Sequence, residues 1–104
     1  MNIAWEKHAQ EIFAQMIERT PVFVRDIAKT KVSQRAELLV QKENRSEVSE
    51  KDVIDAFFHE TPGGFHGLLK SDFEAIGVDY TKYGYEKDEW KNIMGAEKYK
   101  DKEL

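Results

Sequence analysis

The chain has 104 residues, 40% of them apolar and 35% charged, with a formal net charge of −4 and a pI near 5.4. This suits one small domain with a modest core, is too apolar for a disordered chain, and argues against general nucleic-acid binding, which needs a concentrated positive field. With no cysteine, disulfides, thiolate zinc sites and ordinary iron–sulfur ligation are excluded.

Apolar residues at Trp5, Ala9, Ile12, Phe13, Met16 and Ile17 recur at spacings of three and four, which predicts an amphipathic helix over about 3–19, with Lys7, Glu11, Ala14 and Glu18 outward. Pro21 disfavours helical geometry at Thr20 and suits the first position of a new helix, so "TPVFVR" (Thr20 to Arg25) predicts a sharp corner with Thr20 as cap. The second helix is expected over 21–42. Its stripe is Val24, Ala28, Val32, Ala36 and Leu39, widened by Ile27 and Leu38, and Phe23 is expected to pack against helix one or the C-terminal part. After the polar break "KENRSE", Ser49 caps a third helix (50–60) with Asp52 in the position of a capping box, and Val53, Ile54, Phe57 and Phe58 form its face. Glu47-Val48-Ser49 can form one short extended bridge. "TPGG" is a strong breaker. A fourth helix is expected over 65–76, with Leu68, Leu69, Phe73 and Ile76 inward and Gly77 at its C-cap, and a short fifth over 86–94 carrying Trp90, Ile93 and Met94.

The expectation is therefore an all-α, single-domain helical bundle: a three-helix core (1–60), an extension packed on it (61–95) and a frayed polar tail (96–104). No internal repeat stands out. The longest apolar run, Pro21 to Val24, is far too short to cross a bilayer, and the N-terminus lacks signal-peptide blocks, so a soluble, cytoplasmic protein with no membrane segment is expected.

The order Trp5, Ala9, Ile12, then Pro21-Val22-Phe23-Val24-Arg25, then Ala36, then Val48-Ser49 with Val53 and Ala56 resembles the small helical domain at the C-terminus of the B subunit of light-independent protochlorophyllide reductase. That domain also occurs as a free-standing small protein. The resemblance covers about residues 5–58 and departs at Asn44-Arg45, where the family usually has a glycine. It implies a fold and a larger reductase-type partner rather than an activity. The reductase works through an iron–sulfur cluster and a large α/β body, and this chain has neither the cysteines nor the length for that reaction alone.

Candidate site residues follow from charge and loop chemistry. Arg25 and Arg35 fall inside the apolar stripe of the second helix, so each must lay its stem over the core and pair with an acid such as Glu6, Glu60 or Asp52, or else meet a carboxylate of a partner. Arg25, Lys29, Lys31 and Arg35 form the one local basic patch. His59, Glu60 and His66 bracket "TPGG" as a weak metal-ligand candidate whose spacing matches no known motif, and no cofactor or metal is expected. "TPGGFHG" lacks the features of a phosphate loop and reads as a chain reversal needing positive φ. Tyr80, Tyr83 and Tyr85, in a loop, favour a protein interface.

Three functions compete. The first is a non-catalytic interaction module with a protein partner, docking through the Arg25/Arg35 region or the tyrosine loop. The second is a protein binding a tetrapyrrole or another apolar small ligand. The third is a histone-like DNA-binding or dimerisation domain, against which the acidic charge argues. An enzyme ranks below all three, because no nucleophile or paired carboxylates accompany the histidines.

Overall fold

The computed structural model describes residues 3–87. The chain order is β1 (Ala4–Trp5), α1 (Lys7–Glu18), a 3-10 turn (Val22–Val24), α2 (Arg25–Lys42), β2 (Glu47–Val48), α3 (Glu50–Glu60), a second 3-10 turn (Gly63–Phe65), α4 (His66–Ala75) and a third 3-10 turn (Tyr80–Tyr83). The fold is all-α, with one minimal sheet. β1 and β2 pair in parallel, Ala4 opposite Glu47 and Trp5 opposite Val48. That pairing moves the start of the first helix from the expected Ile3 to Lys7, because the N–H groups of Ala4 and Glu6 are taken by the Ser46 and Val48 carbonyls. Of the helix expected over 86–94, Glu86 and Lys87 are not helical; the rest of it, and the tail, lie outside the described residues.

α3 is the central element, packed on α1, α2 and α4. Accordingly it buries Val53, Ile54, Ala56, Phe57 and Phe58. α1 contributes Ala9, Ile12, Met16 and Ile17, with Trp5 and Phe13 packed partly buried at its edge, as its spacing predicts. α2 closes over α3 with a narrower stripe, Val32, Ala36 and Val40. Here the expected stripe is too wide: Ile27 is 63% exposed and Leu38 39% exposed. At about 100° per residue, Ile27 lies about 140° around the helix from Val32, and Leu38 about 200° from Ala36. Leu68 fails likewise at 66% exposed, while its neighbour Leu69 and Phe73 are buried. Val24, at 36% exposed, sits at the margin rather than in the core.

The junction between α2 and α3 carries the fold's one buried charge among the described residues. Asn44 takes the left-handed region at φ 56, Arg45 N–H donates to the Val40 carbonyl (2.9 Å) and Asn44 N–H to Gln41 (3.0 Å). This is a Schellman ending, which asparagine tolerates because its side chain is short and polar. α4 ends the same way through Gly77 (φ 80), with Val78 N–H on the Phe73 carbonyl at 2.9 Å. The turn after α2 aims Arg45 at Asp52, whose carboxylate accepts from Nη2 at 2.6 Å and Nη1 at 3.1 Å. The same carboxylate accepts from the Ser49 N–H (2.8 Å) and Oγ (2.9 Å), so the expected capping residue doubles as an ion-pair partner. Asp52 is 3% exposed. Burial alone pushes its carboxyl up, but the bonds from Arg45 and Ser49 outweigh burial and hold it below the usual range.

Candidate functional site

The arginine of "TPVFVR" faces its own chain. α1 ends at Glu18, and Thr20 turns its hydroxyl back to the Met16 carbonyl (3.0 Å) instead of capping the next helix. Pro21 is extended (φ −53, ψ 138), a 3-10 turn follows, and α2 starts at Arg25, four residues later than expected. Arg25 Nε then donates to the carbonyls of Ile17 and Thr20 (both 3.1 Å), and Nη2 to that of Glu18 (2.7 Å). These include carbonyls that the end of α1 leaves without helical partners. A cation there also meets the negative end of the helix dipole. So Arg25 needs no carboxylate. Arg35 does find one of the acids named for it, Glu60, at 2.8 Å.

The same corner occurs twice. Thr61-Pro62 follows α3 as Thr20-Pro21 follows α1; Pro62 is extended (φ −58, ψ 145), a 3-10 turn follows, and α4 starts at His66. His66 Nε2 bonds the carbonyls of Phe58 (3.1 Å) and Thr61 (2.9 Å), eight and five residues back. Arg25 reaches the same two relative positions. Both His66 partners accept, so Nε2 carries the proton. Across the two corners equivalent residues stand 41 positions apart, while the strands and helix starts before them stand 43 apart, and each half runs strand, helix, corner, helix. This is an internal repeat that the sequence did not disclose, because Val-Phe-Val in one corner is Gly-Gly-Phe in the other. The readable signal was Thr-Pro with a side-chain donor five residues after the threonine.

Between the corners lies an apolar groove of about 600 Å³, floored by Met16, Ala28, Val32, Phe57 and Leu69. Its margins carry Phe23 (87% exposed), Ile27, Phe65 (57%) and Leu68. The expectation that Phe23 packs inward is thus reversed: the tight corner turns it out. Arg19 pairs with Asp72 (2.9 Å) at the groove, Glu60 is held by Arg35, and Lys31 stands exposed beside it. Among the described residues Lys29 and Lys31 form no ion pair, so the basic patch of four is reduced to two uncommitted cations.

The tyrosines face inward. Tyr80 is 1% exposed and donates to Glu74 (2.5 Å), so it offers no surface to a partner. Tyr83 donates to Glu50 (2.7 Å) and Tyr85 to Asp55 (2.5 Å), while Tyr85 stacks on Phe58 at 4.0 Å. Segment 80–85 is a strap on α3, not a free loop. Burial first, then the bond to Glu50, pushes the Tyr83 hydroxyl up to about 12, and Tyr85 is raised for the same reasons through Asp55. For Glu50, burial pushes up, but the bonds from Tyr83 and His8 and the charge of Lys82 carry it below its ordinary value.

His59, Glu60 and His66 do not converge as ligands. Glu60 serves Arg35, His66 Nε2 serves backbone carbonyls, and His59 approaches Glu60 only to 3.8 Å. Among the described residues no three His, Cys, Asp or Glu side chains gather to hold a metal. "TPGG" is also corrected: Gly63 and Gly64 lie in the 3-10 turn, and neither takes positive φ.

These features define a small helical domain of two like halves with an apolar groove between their corners. The chain belongs to the family described as "Protein of unknown function (DUF2621)", whose model matches residues 1–86. Comparisons with curated proteins and with solved structures gave no match. No helix among the described residues is long and apolar enough to cross a membrane.

Proposed function

We propose that this domain is a non-catalytic interaction module that docks a protein partner over the groove between its two corners. The observation that carries this reading is the clustering of exposed apolar side chains: Val22 (73%), Phe23 (87%), Ile27 (63%), Phe65 (57%) and Leu68 (66%) all belong to the corners or the helix turns that follow them. Scattered exposed apolar residues are ordinary, but a contiguous patch around a concavity is the usual mark of a binding surface. The docking surface moves accordingly from the arginines and tyrosines to the groove. A larger reductase-type partner remains suggested by the resemblance to the reductase domain alone, and a cytoplasmic location by composition.

The test is a photo-reactive amino acid in place of Ile27, with Gln41 as a control outside the groove, irradiated in native extract. Adducts to a protein from position 27 and none from 41 are expected. No protein adduct from position 27 refutes the reading.

A second reading, an apolar small ligand such as a tetrapyrrole, is favoured by the cavity volume, which falls within the roughly 300–1,000 Å³ of ligand pockets. A porphyrin titration that leaves the absorbance spectrum unchanged rejects it. A histone-like DNA role gains nothing from the groove, since Arg25 and Arg35 are engaged within the chain.

A further inference from the structure

We infer that the partner covering the groove is a second copy of this chain, in a two-fold dimer that sets the first corner of each copy against the second corner of the other. This rests on reading the groove as a docking surface. Every groove residue of the second half, from Phe57 to Asp72, stands 41 positions after a groove residue of the first half, from Met16 to Lys31. The two walls are structural equivalents. What differs between them differs in a complementary sense.

Arg19 and Lys31 on the first wall are matched by Glu60 and Asp72 on the second. Phe23, 87% exposed, is matched by Gly64, where an added Cβ would meet nothing within 4 Å. Within one chain Arg19 already pairs with Asp72 and Glu60 with Arg35, so among the described residues Lys31 is the uncommitted charge of the four; the walls differ chiefly in shape, the first carrying a knob at Phe23 and the second leaving open space at Gly64. Turned end for end, the face complements itself, with Phe23 over Gly64 twice, as an isologous interface requires. The four groove charges cancel, so a strongly acidic or basic partner gains no long-range attraction. The glycines also find a reason. Neither Gly63 nor Gly64 takes positive φ and neither is crowded from within, so the fold does not demand glycine there. Close approach of another chain does.

Sedimentation velocity on the full chain, from micromolar to millimolar, tests this. The wild type should rise with concentration toward about twice the 12.1 kDa chain mass. Phe23→Glu and Gly64→Trp should each remain at the mass of one chain throughout, with unchanged far-ultraviolet circular dichroism, because both positions are exposed in the single chain. Ala14→Glu, on the exposed face of α1, should associate like the wild type. A wild type that stays monomeric overturns the inference, as does a dimer that survives both groove variants. If such a monomer still crosslinks from position 27 to a different protein, the docking reading stands and only the second copy fails.

Discussion

Replacing Asp52 by alanine removes both ends of the joint between α2 and α3. The carboxylate holds Arg45 through two bonds and the Ser49 backbone and hydroxyl through two more. Losing the capping contact costs about 1 kcal/mol. Breaking a fully buried pair costs about 3–5 kcal/mol, because the abandoned charge is dry. Arg45, however, has a side chain 38% exposed and rehydrates, so that part is discounted to about 1–2 kcal/mol. The sum is about 2–3 kcal/mol. With a urea slope of roughly 1 kcal/mol/M, the unfolding midpoint should fall by about 2–3 M at an unchanged slope. The Arg45→Met/Asp52→Ala double variant should lose less than the sum of the singles. The pH dependence follows from the depressed carboxyl. A group held below its unfolded value, about 3.9, stabilises fully above that value and loses the contribution as pH falls through the folded value. The gap between wild type and Asp52→Asn should therefore be full at neutral pH and shrink below about pH 4. An Asp52→Ala variant within about 0.5 kcal/mol of wild type at pH 7, or a gap that persists unchanged in strong acid, would refute the reasoning.

Arg25→Met should cost about 1–2 kcal/mol in urea unfolding by releasing carbonyls at the end of α1, and Arg25→Lys should recover only part, since an ammonium cannot fork across them. Gly64→Ala should raise stability by about 0.5 kcal/mol and Gly77→Ala lower it by about 1 kcal/mol, because only Gly77 sits at positive φ; thermal melts of the two variants decide. Tyr83, pushed up to about 12 against an unfolded value near 10, should stabilise fully below pH 10 and lose that contribution as pH rises toward 12. Tyr83→Phe should flatten that alkaline loss, and a tyrosinate absorbance titration with every tyrosine near 10 would contradict it.

The helices were legible where one face meets one neighbour. α1 and α3 show their buried faces in spacing alone, and Ser49 with Asp52 announces the start of α3 three residues apart. α2 was not, because a helical wheel gives angles without widths. Its contact with α3 is a single row, and apolar Ile27 and Leu38 belong to a surface that spacing cannot tell from a core. Arg25 was placed on an awkward face for a charge, but its partners are backbone carbonyls, which carry no residue identity to read. Tyr83 and Tyr85 were read as loop residues because their carboxylate partners lie about thirty positions away, and Tyr80, whose partner Glu74 is six positions back, because its burial depends on rings brought in by α3 and α4. The groove was hidden because its walls come from segments 41 positions apart, and because Phe23 on one corner takes the place that Gly64 holds on the other.

The two-residue ladder between Ala4–Trp5 and Glu47–Val48 bears on how the chain folds. It joins positions 43 apart, and closing a loop of that length costs about 3 kcal/mol of chain entropy beyond the constant term. Four residues of strand cannot repay that unaided. The ladder must form on helices already docked, late in folding, as a clasp on finished halves. Trp5 sits in the clasp, its indole donating to Glu37 at 2.8 Å and its ring 5.2 Å from Phe13. With Trp90 replaced by phenylalanine, Trp5 fluorescence would time the closing of the clasp, while circular dichroism would time the helices beneath it.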